Sequence, residues 1–379
     1  MTYNTKLISK YENEECFSDE KIKISKADLS SVVSFICNFQ KNIDGYFNKF
    51  IKQAHETKST FERTQKLYIV LPHRIGDAIL TVPVLVCFKD IFKNEYDVTL
   101  VVSNYMFDFF KKLNLFKVER FSLYSKIKTF FIRPDKIFFY LVSSKSIGYF
   151  SKYSYGQNNH KNYLKYSKSI PYLVDTCCDR FPYTDFYKKL KNEFLFSNVI
   201  INNFALCFEL GATKDEIYDA IRKNYTYIDR NQNGNYIVCC LDAGYNKLRC
   251  SHRAYDIKRF INIAEDNYRT LGYKTVFIGL DKKSIIPAAE YLIDKRGNIS
   301  ITEMADIIKK SVCYIGNDTG PLHLANFMNK LTFGIYLEAT PDEYGPIYTA
   351  NNKAYYRPEN FNALKENILS TLRELKENN

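Results

Sequence analysis

The feature that most constrains this 379-residue chain is a strand, loop, helix, strand pattern at 313–337. A short apolar run is followed by a polar loop at 317–320, and Pro321 then opens a helical pattern of apolar residues. Gly320 allows a ligand close to the backbone, and the first amide groups of a helix have no intrahelical acceptor. The loop therefore predicts an anion site. The same residues also fit an ordinary helix of an α/β fold, capped by the loop's aspartate or threonine.

A second strand, loop and helix lies nearer the amino terminus. The apolar run 67–71 predicts a buried strand, and the loop after it contains Gly76 and Asp77. A helix is expected over 78–92, with a bend at Pro83. Ligands bind at the carboxyl ends of strands in open α/β sheets, so Asp77 is either a helix cap or a carboxylate placed for function.

The alternation of strands and helices occurs twice, which predicts two α/β domains. Further strands are expected at 98–102 and 136–142, and a polar stretch at 229–235 marks the domain boundary. The pattern then restarts with these predicted elements: strand 236–241, helix 257–271, strand 274–278, a helix through about Asp294, a helix opened by a capping box of Ser300 and Glu303, and a final helix 361–375.

These elements divide the chain into a helical extension at 1–60, a first α/β domain at 61–230, a second at 231–350 and a carboxyl-terminal helix at 351–379. In the extension, apolar residues recur at helical spacing over 29–51. This amphipathic helix fits packing against its own domain or another copy of the chain better than membrane insertion, because its polar face is not densely basic.

Composition limits the partners. The net charge of +12 and the pI near 9.0 favour phosphates, anionic lipid surfaces or nucleic acid. The segment 143–182 is rich in Tyr, Lys, Ser and Asn and includes Lys161, Lys165 and Lys168. It fits either a mobile surface region or the basic, aromatic wall of a cleft for an anionic, hydroxyl-rich acceptor.

The ten cysteines include no Cys-x-x-Cys pair and no Cys/His set at zinc spacing, so they predict reduced, mostly buried thiols and no metal site. The first residues form no apolar signal region, and no apolar run is long enough to span a bilayer. These features predict a cytoplasmic protein, with peripheral contact at the inner face of the membrane left open.

Two segments together resemble glycosyltransferase family 9, the bacterial lipopolysaccharide heptosyltransferases of the GT-B fold. Residues 74–85 look like the family's amino-terminal Arg-x-Gly-Asp segment, and residues 316–325 look like its donor loop. The resemblance covers roughly 67–346. It implies two Rossmann-like domains that face each other across a cleft, with the acceptor on the amino-terminal side and the nucleotide sugar on the carboxyl-terminal side.

The resemblance also implies roles for individual residues. Asp77 resembles the general base that takes the proton of the acceptor hydroxyl. Arg253 lies where the family usually has a lysine, a cation for the donor diphosphate, and Tyr255 replaces the family's tryptophan. The other residues carried over are Asp281, Asp318, Thr319, Gly320 and His323 on the donor side, and Arg74 and Gly76 on the acceptor side. The three lysines named above are assigned to the acceptor because their segment lies in the half that binds it.

The resulting prediction is a metal-independent, inverting glycosyltransferase without a cofactor. It would move a sugar, a heptose by resemblance, from an ADP-heptose-like donor to a hydroxyl of a lipopolysaccharide-type or other bacterial glycan or protein acceptor. The expected acceptor partner is an anionic glycan or glycolipid. One alternative is a GT-B transferase or epimerase that uses another nucleotide sugar. Another is a basic nucleic-acid-binding or scaffold protein, but no nucleic-acid module is recognisable and both glycine loops would be unexplained.

Overall fold

The computed structural model describes residues 64–72, 74–93, 95–122, 136–139, 199–204, 206–207, 210–225, 234–242, 255–280, 284–297, 299–338, 340–345 and 352–377. These residues fall into two compact units, one that ends at Tyr225 and one that begins at Thr226. Each unit has its own parallel sheet. The predicted helix at 29–51 and the segment 143–182 lie outside the described residues.

The first sheet has four parallel strands: β1 (Gln65–Val70), β2 (Tyr96–Val102), β3 (Lys117–Arg120) and β4 (Lys136–Phe139). Their order is β3-β2-β1-β4, with β1 between β2 and β4. The predicted buried strand is confirmed, since Leu67, Ile69 and Val70 are fully buried. A central parallel strand is covered on both faces, and this explains why the run is apolar at every position rather than at alternate ones.

The helices of this unit are α1 (Ile75–Ile79), α2 (Val82–Phe92), α3 (Phe107–Leu113), α4 (Val199–Asn203) and α5 (Lys214–Tyr225). The prediction of one bent helix over 78–92 is wrong, because the chain forms two helices that meet at Leu80 and Thr81. Pro83 has no N–H to donate to the carbonyl one turn earlier, so the first helix stops and a second begins. The Thr81 hydroxyl donates to Ala78 O (2.7 Å) at the break.

The carboxyl-terminal part of the unit packs back on α2. Asp90 of α2 accepts hydrogen bonds from Lys223 Nζ (2.7 Å) and from Asn224 Nδ2 (2.6 Å), both on α5. Asn203 Nδ2 donates to Leu80 O (3.0 Å) where α1 ends. These contacts join α2 to α5 and the end of α1 to α4. The position of Asp77 in α1 therefore depends on long-range packing within the unit.

The second sheet has six parallel strands: β5 (Tyr236–Cys240), β6 (Lys274–Ile278), β7 (Leu292–Asp294), β8 (Cys313–Asn317), β9 (Leu331–Tyr336) and β10 (Asn352–Tyr356). Their order is β10-β9-β8-β5-β6-β7. Its helices are α6 (Ile257–Leu271), α7 (Ile301–Lys309), α8 (Gly320–Phe327), α9 (Pro341–Tyr344) and α10 (Phe361–Glu377). The predicted capping box of Ser300 and Glu303 is confirmed at the start of α7.

The helix expected to run to Asp294 is not formed among the described residues of that stretch, 284–294, where an irregular segment leads into β7. Pro287 cannot donate within a helix. The guanidinium of Arg296, whose side chain is 3% exposed, binds both carboxylate oxygens of Asp294 (2.9 Å each) and donates to Ser284 O (2.8 Å). The Arg296 guanidinium thus supplies a hydrogen bond to the backbone of this irregular segment, which has no helical hydrogen bonds of its own.

The core of the second unit lies between the sheet and helices α6 and α10. It includes Phe260 of α6, Phe277, Ile315 and Phe333 of the sheet, and Ile368 of α10. The five cysteines in the described residues are free and buried, which agrees with their predicted role as core residues: Cys87, Cys207, Cys239, Cys240 and Cys313. None of the helices in the described part of the chain is long and apolar enough to cross a membrane.

Candidate active site

Each sheet has one point where the order of its strands reverses. In the first sheet the reversal is between β1 and β4, and in the second it is between β5 and β8. Ligands bind outside the carboxyl ends of the strands at such points, because the loops on either side diverge and leave a crevice. The segment with Asp77 follows β1, and the loop 317–320 follows β8. Both predicted loops therefore lie at a switch point.

The loop after β8 delivers backbone amides to the start of α8. The Asp318 N–H donates to Ile335 O of β9 (2.9 Å), which continues the β-sheet ladder. Thr319 then occupies the N-cap position with an extended backbone, but its hydroxyl donates to Asn317 O (3.2 Å) instead of accepting from the helix. The expectation that Asp318 or Thr319 caps the helix by its side chain is therefore wrong.

The N–H groups of Thr319 and Gly320 have no acceptor among the described residues, whereas those of Leu322 and His323 donate to Thr319 O (3.0 and 3.3 Å). Pro321 has no N–H to satisfy. Two adjacent amide donors at the positive end of an eight-residue helix form a local environment that suits an anionic oxygen.

Asn317, which sequence reasoning did not single out, joins three segments around this loop. Its Oδ1 accepts from the Tyr255 N–H (3.1 Å), and its Nδ2 donates to Leu241 O (3.1 Å) and Asp242 O (3.3 Å). The side chain is fully buried. Asn317 thus fixes the end of β5 and the approach to α6 relative to β8. Its position as the last residue of an apolar strand, directly before the loop, was the available signal.

Gly316 shows how closely β8 approaches β5. A methyl group at this residue would lie 2.8 Å from Cys240 O and 2.8 Å from the Tyr314 hydroxyl oxygen, so no side chain fits. Burial raises the pKa of the Cys240 thiol to about 12 and the pKa of Tyr314 well above its usual range. Both groups are therefore protonated at neutral pH, and they support the loop as neutral groups rather than as nucleophiles.

His323 lies on α8 and is 5% exposed. Its Nε2 is 3.4 Å from Asp318 Oδ1, a separation at which an ion pair would form if the imidazole were protonated. Burial lowers the pKa of His323 to about 4, so the imidazole is neutral at pH 7 and the two side chains are close without forming an ion pair. The structure thus places His323 beside Asp318 and leaves little of its side chain accessible to a nucleotide-sugar donor.

Asp242 follows β5 and fixes the end of the neighbouring strand β6. Its Oδ2 accepts from the Leu280 N–H (2.6 Å). Gly279 has a φ of +126°, and a methyl group there would lie 2.6 Å from the Asp242 carboxylate. Glycine is thus required at this position both by the backbone conformation and by the close approach of Asp242.

In the first unit, Asp77 is the third residue of α1 and Arg74 is the N-cap residue, with an exposed side chain and no side-chain cap. Gly76 lies between them in the first turn. Asp77 is partly exposed, while its Oδ2 atom is inaccessible to solvent. A carboxylate is one of the side chains that can act as a general base.

The predicted residues Arg253, Asp281, Lys161, Lys165 and Lys168 lie outside the described residues. Among the residues that the structure does describe, no group of three or more His, Cys, Asp or Glu side chains is arranged to hold a metal ion.

Comparison with known proteins relates the second half of the chain to a known family. Residues 189–368 match the family model for Glycosyltransferase family 9 (heptosyltransferase). Over these residues, which make up just under half of the chain, the sequence is similar to the family 9 glycosyltransferases. The matched region covers nearly the whole unit that contains the 317–320 loop. No curated protein sequence matches this chain.

Three solved structures have folds similar to that of this chain. ADP-heptose lps heptosyltransferase II of E. coli is 12% identical, with a TM-score of 0.56 over 82% of this chain and 98% of that one. A family 9 glycosyl transferase from Veillonella parvula is 15% identical, with a TM-score of 0.51 over 82% and 93%. The E. coli heptosyltransferase WaaC with ADP is 13% identical, with a TM-score of 0.52 over 80% and 99%. The predicted α/β, GT-B fold is therefore confirmed.

Proposed function

We propose that this glycosyltransferase moves a heptose-type sugar from an ADP-sugar to a hydroxyl of an anionic bacterial glycan or glycolipid, with inversion and without a metal ion. The observation that carries the proposal is the pair of amides of Thr319 and Gly320, which lie at the switch point of the second sheet and have no acceptor within the described ranges. The family match and the similar structure of WaaC with ADP support the choice of donor.

The donor side has to stabilise a leaving group. When the bond between the sugar and the diphosphate breaks, negative charge develops on the diphosphate oxygens, and donors already oriented toward that position lower the barrier. The two amides and the positive end of α8 supply such donors. We propose that Arg253 adds a cation, since a charge-assisted hydrogen bond is stronger than a neutral one.

The acceptor side has to activate a hydroxyl. We propose that the Asp77 carboxylate takes its proton as the oxygen attacks the anomeric carbon on the face opposite the diphosphate. One bond forms as the other breaks, so a single displacement inverts the configuration. Arg74 and Gly76 belong to the same short segment, and we propose that they contact the acceptor.

Calorimetry tests the donor assignment. ADP is titrated into the wild-type protein and into Gly320→Val, whose side chain would occupy the space in front of the amides. We expect binding to wild type with EDTA present and a loss of at least about tenfold in the variant, the scale of one lost charged hydrogen bond. Val82→Ile, a buried change in the other unit, is the control. Equal ADP affinity in wild type and Gly320→Val would refute the assignment, and tighter binding of UDP than ADP would favour another nucleotide sugar.

Kinetics tests the base. Asp77→Asn keeps the size of the side chain but cannot accept the proton, so turnover should fall about a hundredfold or more while ADP affinity is unchanged. Asp108→Asn, an exposed carboxylate in the first turn of α3, is the matched control and should have wild-type turnover. An Asp77→Asn enzyme with normal turnover would leave this residue with a structural role only. The anomeric configuration of the product, measured by NMR, tests inversion separately.

The lysines of segment 143–182 give a further test of the acceptor side. Neutralising Lys161, Lys165 and Lys168 together should raise the acceptor KM more than it changes donor affinity, and high salt should reduce the difference between variant and wild type. Normal acceptor kinetics of the triple variant at low salt would remove this segment from the proposed binding surface.

A further inference from the structure

Arg357 follows β10 and has a backbone conformation that residues other than glycine rarely adopt. Its φ is +43°, in the left-handed region that favours glycine. The other non-glycine residues with positive φ, Lys93, Asn114 and Asn329, lie at or just after helix ends, where this conformation is a common way to stop a helix. Arg357 has no helix to stop. Backbone strain that persists at such a position points to a function for the side chain.

The arginine is bonded to the neighbouring strand β9, which lies next to the strand before the 317–320 loop. Its backbone N–H donates to Tyr336 O (2.9 Å), and its Nε donates to Leu337 O (3.0 Å), so both bonds go to the carboxyl end of β9. Because β9 lies between β10 and β8, the Nε bond draws the guanidinium toward the strand that carries the 317–320 loop. The Tyr356 ring supports it from one side, with 5.1 Å from the guanidinium carbon to the ring centroid.

The rest of the guanidinium is available for a ligand. Arg357 is exposed, and its two Nη groups have no acceptor among the described residues. The planar fork of an arginine matches the oxygens of a phosphate or carboxylate. The guanidinium is bonded at the carboxyl end of β9, and β9 is the strand beside β8, which leads into the 317–320 loop.

We propose that Arg357 is an anion-binding residue of the transferase, and that it holds an oxyanion group of a substrate beside the 317–320 loop. The inference rests on the proposed function, because the substrate that brings this group is the donor or the acceptor of the reaction. A diphosphate on the donor and a phosphate or carboxylate on the acceptor offer the same oxygens to the fork. The strained backbone and the two bonds to β9 hold the guanidinium in place before the substrate arrives, which reduces the entropy lost on binding.

The test titrates ADP into the full-length protein and into Arg357→Gln, Arg357→Gly and Arg357→Lys. If the guanidinium holds the donor diphosphate, the first two variants should bind ADP about tenfold more weakly or worse, and Arg357→Lys should keep part of the affinity. Adenosine, which has no phosphate, should bind all four proteins equally. If the guanidinium holds an acceptor anion instead, ADP affinity is unchanged, and inorganic phosphate binds to ADP-saturated wild type but not to ADP-saturated Arg357→Gln.

Two controls separate binding from structure. Lys274→Gln removes an exposed positive charge at the amino end of β6, whereas Arg357 lies at the carboxyl ends of the strands. This variant should change neither titration. Arg357→Gly relieves the backbone strain while it removes the Nε bond, so its Tm should stay within a few degrees of wild type. ADP and phosphate titrations that are the same for wild type and Arg357→Gln overturn the inference. A wild-type protein that binds no ADP refutes the proposed donor instead, and phosphate titrated alone then tests Arg357.

Discussion

Replacing Asn317 with alanine should destabilise the second unit and weaken the donor site. The change removes the acceptor of the buried Tyr255 N–H and the donor to Leu241 O and Asp242 O. An orphaned buried N–H costs about 1–3 kcal/mol, and the two longer bonds from Nδ2 together contribute about 1 kcal/mol. The expected loss in the free energy of unfolding is therefore about 2–4 kcal/mol.

The assay is urea unfolding followed by circular dichroism, with ADP calorimetry on the same samples. Asn362→Ala is a matched control, because Asn362 is exposed on α10 and its loss should change stability by no more than about 0.5 kcal/mol. Asn317→Asp keeps the acceptor for Tyr255 but turns a charged oxygen toward two carbonyls. It should therefore be less stable than wild type at pH 7 and recover part of the loss as the pH falls and the new carboxyl group takes up a proton.

The reasoning would be refuted if Asn317→Ala lost less than about 0.5 kcal/mol, the level of an ordinary surface change. A large loss of stability with unchanged ADP affinity would show that Asn317 supports the fold without organising the donor loop. A loss of affinity in Asn317→Ala under conditions where the variant is still folded is the result expected from its contacts to three segments around that loop.

Three further predictions follow from the same unit. For His323, the folded-state pKa of about 4 is below the unfolded value of 6.5, so stability present above pH 6.5 should decline by about 3 kcal/mol as the pH falls to about 4, and His323→Gln should lack this part of the slope in urea unfolding. Gly279→Ala should cost about 2–4 kcal/mol because it adds a clash with Asp242 to backbone strain, whereas Gly272→Ala, with φ +75° and open space, should cost about 1–2 kcal/mol. Arg253→Ala should cost about 1.5–3 kcal/mol of ADP affinity by calorimetry, and Arg253→Lys should retain part of it.

The sequence predicted the elements whose pattern is repeated or sharply bounded. Continuous apolar runs predicted β1, β5 and β8, because strands buried on both faces of a parallel sheet are apolar at every position. The capping box at Ser300 could be predicted because its two hydrogen bonds join residues only three apart in the sequence. Local chemistry was sufficient in these cases.

Two of the errors occurred where a distant contact decides the structure. The stretch after β6 has a helical pattern, but Arg296 binds Ser284 O across twelve residues and holds it extended. The loop after β8 contains two good capping side chains, yet the Asp318 N–H pairs with β9 and the Thr319 hydroxyl turns back to Asn317. The pairing of the Asp318 N–H with Ile335 of β9 cannot be identified from the residues beside it in the sequence, and it fixes the loop in which Thr319 turns back.

The difference between residues set by a general pattern and residues set by specific contacts explains how a chain only 12% identical to ADP-heptose lps heptosyltransferase II can share its fold. Many apolar residues satisfy the requirement that a strand be buried, so the strands can change without losing the sheet. The loops at the switch points allow fewer choices, because a methyl group at Gly316 would meet Cys240 O and the Asn317 amide has to reach three partners. Exposed side chains in these segments, such as Arg74 between β1 and α1, are not restricted by core packing in this way. Substrate preference can therefore change at these positions while the frame that holds them stays the same.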